Sequence, residues 1–323
     1  MFHRTGKEPT PEDFGALLQP SEALEPVLAK PVRAALLEWL MEIWAAEDLQ
    51  AVGVQPRKKA LFAGKPGTGK TTLAHHLAAR LGLPMLAVRP DRMMTTYVSE
   101  SAANVGRLFD AVAAHDGGPL LIFIDEFDSL ASERVQSAHA PTNAYDHNHM
   151  VNTLLRRFDE YDGYIIAATN DPAVIDKALW RRFEIQIEID LPGQFERERI
   201  LERYLSPYRL NPVALTALAD SMDTASPSLM RQWCENVKRQ LVVGPKAGWD
   251  MGKRSVIARI LASVSPHPDL GKPRLWSLGA DDAAIASLPW PLTTEIASAA
   301  PADATRPETE QNGGNVVAMG PRQ

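Results

Sequence analysis

KALFAGKPGTGKTTLAHHLAARLGLPMLAV, residues 59–88, decides the fold. Its first six residues are a short apolar run that ends in a glycine loop, the pattern of a buried strand. Leu73, Leu77 and Leu81 then recur at i+4, as on one face of a helix, and Gly82 and Pro84 stop it. PMLAV (84–88) reads as a second buried strand. Between strand and helix lies GKPGTGKT (64–71), which matches G-x-x-x-x-G-K-[ST]. Glycines there let successive backbone N–H groups turn inward around phosphate, and the helix aims its positive end at the same anion. The loop therefore predicts an ATP site built from Gly64, Pro66, Gly67, Thr68, Gly69, Lys70, Thr71 and Thr72. Lys70 is expected to reach the β- and γ-phosphates, and the Thr71 hydroxyl to ligate Mg²⁺.

Strand and helix patterns continue to alternate outward from this segment. Pro31 opens a helix with Val32, Leu36, Leu40, Ile43 and Trp44 on one stripe. Helical patterns also fall around 105–112 and 150–158. LLIFI (120–124) and YIIAA (164–168) are buried strands, and alternation from Phe183 to Ile189 marks a half-exposed one. Mostly apolar strands interleaved with helices predict a parallel sheet of five strands covered on both faces, an αβα sandwich. After Pro192 only helical patterns follow, at 194–205, 212–222 and 227–242. The last two open with Asn211-Pro212 and Ser226-Pro227, cap and proline together. The expected organisation is a flexible lead-in over 1–22, an α/β ATPase domain over 23–191 and a small helical lid over 192–265. An unassigned segment then covers 266–290, and a disordered tail 291–323.

Three further segments carry chemistry. IFIDEFDSL (122–130) sets Asp125 and Glu126 at the end of the strongest strand, on the edge of a parallel sheet where ligands bind. Asp125 is expected to hold Mg²⁺, and Glu126 to take a proton from the attacking water. ATND (168–171) puts Asn170 at another strand end, where an amide aligns the water or where Asn-Asp-Pro simply makes a turn. Arg181 and Arg182, in WRRF, are either arginines that stabilise a transferring phosphoryl group or a solvated basic pair.

Composition bounds the class. Of 323 residues, 45% are hydrophobic and 23% charged, ordinary globular values. Cys234 has no second cysteine to pair with, which fits a reducing compartment. Neither a signal-peptide pattern nor a membrane-length apolar run is visible, so a cytoplasmic protein is expected. A net charge of −6 argues against constitutive nucleic-acid binding.

In their order and at their strand ends, these elements resemble the AAA+ ATPases. IFIDEFDSLASER (122–134) and IIAATNDPAVIDKALWRRF (165–183) are most similar to bacterial relatives of the protein-remodelling AAA ATPases. The resemblance implies that Asp125 and Glu126 are the Walker B pair, Asn170 is sensor 1, and Arg182 or Arg181 is a finger offered to a neighbouring subunit. It implies a homo-oligomeric ring, a hexamer, that acts on a protein substrate or partner. TYVSES (96–101) falls where the family carries its pore loop, with Tyr97 and Val98 in the gripping positions. Ser99 stands where glycine is usual, and Tyr97 packed on the sheet edge is the other reading. Arg231 is either a sensor 2 arginine on the γ-phosphate or an exposed residue paired with Glu235 at i+4. The adjacency of Arg181 and Arg182, where the family often has an insert, leaves open which of them reaches the neighbour. A nucleotide-gated partner of another enzyme and a nucleic-acid-directed loader are the competing functions.

Overall fold

A computed structural model describes residues 8–94, 100–132 and 142–294, with the backbone alone over 142–145. One six-stranded sheet organises the first part. Its strands are β1 (Gly15–Leu18), β2 (Lys59–Ala63), β3 (Met85–Val88), β4 (Leu121–Ile124), β5 (Ile165–Thr169) and β6 (Ile185–Glu188), in spatial order β1-β3-β4-β5-β2-β6. β2 to β6 run parallel, and β1 lies antiparallel to β3 at one edge. Registers such as Lys59↔Ile165 and Ile122↔Ile165 put the ends of β2, β5 and β4 side by side.

Period-two alternation sends neighbouring strand residues to opposite faces. Leu61, Ile122, Ile124, Ile165 and Ala167 enter one core, while Ala60, Phe62, Leu121, Phe123 and Ile166 enter the other. α1 (Lys30–Trp44), followed by the short α2 (Ala46–Ala51), covers the second face together with α3 (Lys70–Arg80). The first face receives α4 (Pro90–Met93), α5 (Glu100–Ala113), α6 (Phe127–Ala131), α7 (Thr142–Glu160) and α8 (Lys177–Trp180). At its centre Phe127, Phe158 and Phe183 meet pairwise at ring separations of 5.4 to 5.9 Å.

Beyond β6 the chain is helical: α9 (Gln194–Leu205), α10 (Pro212–Ser221), α11 (Pro227–Val243), α12 (Lys253–Ser263), α13 (Arg274–Leu278) and α14 (Ala283–Ser287). Asn211 and Ser226 cap α10 and α11 by accepting from Ala214 N–H at 2.8 Å and Leu229 N–H at 3.3 Å. These helices share a core of Leu201, Leu218, Met230, Trp233, Val256 and Ile260. The segment 266–290, unplaced by its sequence, closes that core with Leu275, Trp276 and Ile285. Its Trp276 indole donates to Val264 O at 2.6 Å. Among the described residues no helix is long and apolar enough to cross a membrane.

Three expectations need correction. The sheet has a sixth strand, antiparallel, and it comes from the stretch read as a flexible lead-in. Phe14 is fully buried, and its carbonyl accepts Arg89 N–H at 3.0 Å. Gly15 lies so close to β3 that a Cβ there would meet Ala87 O at 2.0 Å. Four residues among prolines and acids carry too little periodicity to announce such a strand. The fold also extends past 291, because Leu292 is buried and Thr293 O accepts Arg209 N–H at 3.1 Å. The rest of the predicted tail, 295–323, lies outside the described residues. So do Tyr97 and Val98.

Replacing Phe14 by Ala removes a fully buried ring and is expected to cost about 3–5 kcal/mol. Denaturant unfolding of the whole chain measures this, and an unchanged midpoint would mean that the first strand is not part of the cooperative fold.

Candidate functional site

The loop between β2 and α3 is shaped by its glycines and by Thr68. Gly67 and Gly69 take φ of +77° and +96°, a region that side chains other than glycine rarely adopt. A Cβ on Gly64 would meet Ile189 O at 2.4 Å. Thr68 faces inward, its hydroxyl donating to Lys65 O at 2.9 Å. Lys70 opens α3 and is almost wholly buried. Its Nζ donates to Gly64 O at 2.6 Å, to Lys65 O at 3.2 Å and to Asn170 Oδ1 at 2.7 Å. Burial pulls the ammonium below the usual lysine range, against the opposing pull of Asp125 and Asp128. An anion arriving beside Lys70 supplies the negative charge that its three neutral acceptors do not.

Asp125 follows β4 and accepts Thr71 Oγ1–H at 2.8 Å. Its other oxygen accepts Glu126 N–H at 2.9 Å. Glu126 is exposed, with φ of +46°, the one non-glycine in the left-handed region among the described residues. That backbone state costs of order 1–3 kcal/mol and is found where a side chain must be aimed. On β5, Thr169 and Asn170 end the neighbouring strand, and Asn170 reaches Lys70. Phosphate loop, acidic pair and polar strand end, read separately from the sequence, thus stand on three adjacent strands.

The helical part forms the other wall. Ser228 N–H donates to Gly67 O at 3.2 Å. Together they enclose a cleft of about 350 Å³ lined by Pro66, Gly67, Gly69, Lys70, Thr71 and Thr72, by Asp125, Glu126 and Asn170, and by Tyr204, Pro227, Ser228 and Arg231. Arg231 stands on α11. It lines the cleft, and it is paired with Glu235 at 2.7 Å, its guanidinium 5.6 Å from the centre of the Tyr204 ring. Beside the phosphate loop a second, more apolar pocket of about 130 Å³ involves Val27, Leu28, Val32, Gly69, Ile189 and Pro227.

Arg181 and Arg182 are not part of this cleft. They precede β6, whereas the cleft lies beyond the far ends of β2, β4 and β5. The five residues of β2 separate the two edges by about 13 Å. Arg182 forms a two-pronged pair with Asp159 at 3.1 and 3.0 Å. Arg181 is exposed and makes no ion pair among the described residues.

Sequence reading missed Tyr204, Ser228, Asp128 and the apolar pocket. Asp128 alone left a signal, the third acid of IDEFD, and its Oδ1 accepts Thr169 Oγ1–H at 2.8 Å. The others depend on how the helical part docks, which no local pattern records.

Residues 60–191 match the family model described as ATPase family associated with various cellular activities. An uncharacterized AAA family ATPase, y4kL, of Sinorhizobium fredii is 35% identical over 193 residues, 57% of this chain and 56% of that protein. The ATP-dependent zinc metalloprotease FtsH 1 of Symbiobacterium thermophilum is 34% identical over 58% of this chain and 32% of its own length. The proteasome-activating nucleotidase of Pyrococcus horikoshii is 30% identical over 69% of this chain and 57% of its own. The match thus spans between a third and rather more than half of these relatives. With the phosphate loop, the acidic strand end and the polar strand end all inside the matched stretch, residues 60–191 are a domain of the AAA family of ATPases.

Proposed function

We propose that the cleft binds Mg-ATP and hydrolyses it, and that the chain works as a homo-oligomeric ring, a hexamer, that remodels a protein substrate. The carrying observation is the convergence of Lys70, Asn170, Thr71 and Asp125 around one cavity, joined pairwise by hydrogen bonds of 2.7 and 2.8 Å. The γ-phosphate takes its place beside the Lys70 ammonium and the loop amides. The apolar pocket at Val27 and Ile189 suits a nucleobase, and Arg231 faces the phosphates from the helical wall.

Thr71 and Asp125 present an all-oxygen pair, the donor chemistry of a hard divalent cation. Mg²⁺, when bound, neutralises phosphate charge. Glu126, free of the pair and exposed to the cleft, accepts the proton of the attacking water. Asn170 aligns that water. Arg181 and Arg182, at the opposite edge of the sheet, serve the cleft of a neighbouring copy, which is why the reading includes a ring. Arg181 is the uncommitted one, whereas Arg182 must first exchange Asp159. The acidic net charge and the names of two relatives, a zinc metalloprotease and a proteasome-activating nucleotidase, favour a polypeptide over nucleic acid as the substrate. Cys234, alone and buried, suits a cytoplasmic setting.

Glu126→Gln is expected to keep ATP binding and to lower the hydrolysis rate by about 10²–10⁴-fold. Hydrolysis at the wild-type rate would exclude Glu126 as the base. Lys70→Ala should abolish binding of a fluorescent ATP analogue, and retained affinity would move the phosphates elsewhere. When Arg181→Ala and Arg182→Ala chains are each titrated with Glu126→Gln chains, which lack the base but keep their arginines, activity should reappear at mixed ratios. No recovery at any ratio counts against action between copies. Steady-state hydrolysis should rise with added unfolded polypeptide in wild type and not in Tyr97→Ala. Stimulation by single-stranded DNA instead would replace remodelling with a nucleic-acid role, and indifference to both would leave a nucleotide-gated partner of another enzyme.

A further inference from the structure

We infer that Asp128 is a positioning residue for this hydrolysis, holding the end of β5 so that Asn170 meets Lys70; the inference rests on the ATPase reading above. Asp128 sits in the first turn of α6, where an acid ordinarily serves its own helix. Here its carboxylate turns outward to the next strand. One oxygen, Oδ1, accepts Thr169 Oγ1–H at 2.8 Å and the longer Asn170 N–H at 3.4 Å.

Thr169 has no exposed surface, so its hydroxyl depends on protein partners. It donates to Asp128 and accepts Asp171 N–H at 3.1 Å. Apart from the main-chain bond in which Thr169 O accepts Gly64 N–H at 3.2 Å, the start of the turn that carries Asn170 is held by one carboxylate oxygen. Its anchor is firm, because Phe127 and Leu130, on either side of Asp128, are fully buried. From that turn the Asn170 amide oxygen reaches Lys70 Nζ at 2.7 Å.

The consequence concerns rate rather than affinity. The loop amides, Lys70 and Thr71 bind nucleotide whether or not Asn170 is well placed. Alignment of the attacking water is less forgiving, since an error of about 1 Å costs on the order of 10²-fold in rate. Loss of the Asp128 anchor should fall on kcat and spare KM.

The test is steady-state ATP hydrolysis by full-length Asp128→Ala, Asp128→Asn, Thr169→Val and Asn170→Ala, with thermal unfolding recorded for each. Asp128→Ala should lower kcat by about 10–100-fold and leave KM within about threefold. Asp128→Asn keeps a carbonyl oxygen for Thr169 and should recover most of the rate. Adding Asp128→Ala to Asn170→Ala should lower kcat little further, because both remove one interaction. Wild-type kcat in Asp128→Ala, full multiplication of the two losses, or no rescue by asparagine each overturns the inference. If Asp128→Ala does not fold, Thr169→Val, which removes only the hydroxyl donor, must show the same selective loss of kcat, and a wild-type kcat there is equally fatal. Glu126→Gln separates the two levels. If it hydrolyses ATP like wild type, the ATPase reading has failed. If it is inactive while Asp128→Ala is normal, only the role of Asp128 has failed.

Discussion

A buried ammonium with only neutral oxygens in contact organises this molecule. Lys70 touches two carbonyls of its own loop and the amide of Asn170. These contacts come from two constraints. The loop carbonyls turn toward it because Gly67 and Gly69 adopt left-handed conformations. Asn170 arrives from β5, which must therefore lie next to β2, as the pairing of Ala63 with Thr169 shows. The strand order of the sheet and the glycine content of the loop are two conditions for one charge to be held in place. A desolvated cation of this kind is costly without an anion, so the site gains most when phosphate arrives.

The helical part depends on the same loop. Its contact with Gly67 runs through Ser228, at the start of α11, and Ser226 caps that helix. Arg197, buried at the base of α9, fixes the connection from the sheet. It donates to Pro192 O at 2.8 Å, to Ala219 O at 2.7 Å and to Asp223 O at 3.3 Å. One guanidinium thus ties the segment leaving β6 to the turn that leads into Ser226. The connection from the sheet and the contact with the loop are thus held by hydrogen bonds only a few residues apart, Arg197 to Asp223 O and Ser228 N–H to Gly67 O.

Legibility followed the range of the interactions. The phosphate loop, the acidic pair and the five parallel strands announce themselves because glycine, charge and apolar runs act within a few residues. Asn170 was legible as a polar strand end, although its partner Lys70 lies a hundred residues away. β1 was not, since Gly15 is required by the closeness of Ala87, a fact about a distant strand. The packing of 266–290 was hidden for a similar reason. Leu275 and Ile285 are spaced by turns rather than by a helical period, and only the shape of the core explains them. Tyr204 reads in sequence as one more helix residue, and its place in the cleft comes from tertiary docking.

Phe127 follows Glu126 directly, and Phe183 follows Arg182 directly. Their rings meet edge to face at 5.4 Å, and both pack on Phe158. The residue proposed to activate water in one cleft and the arginines proposed to serve the adjoining cleft are therefore mounted on one aromatic block. Close-packed rings do not compress. The acidic strand end and the opposite rim are thus braced against each other by direct ring contact across one face of the sheet.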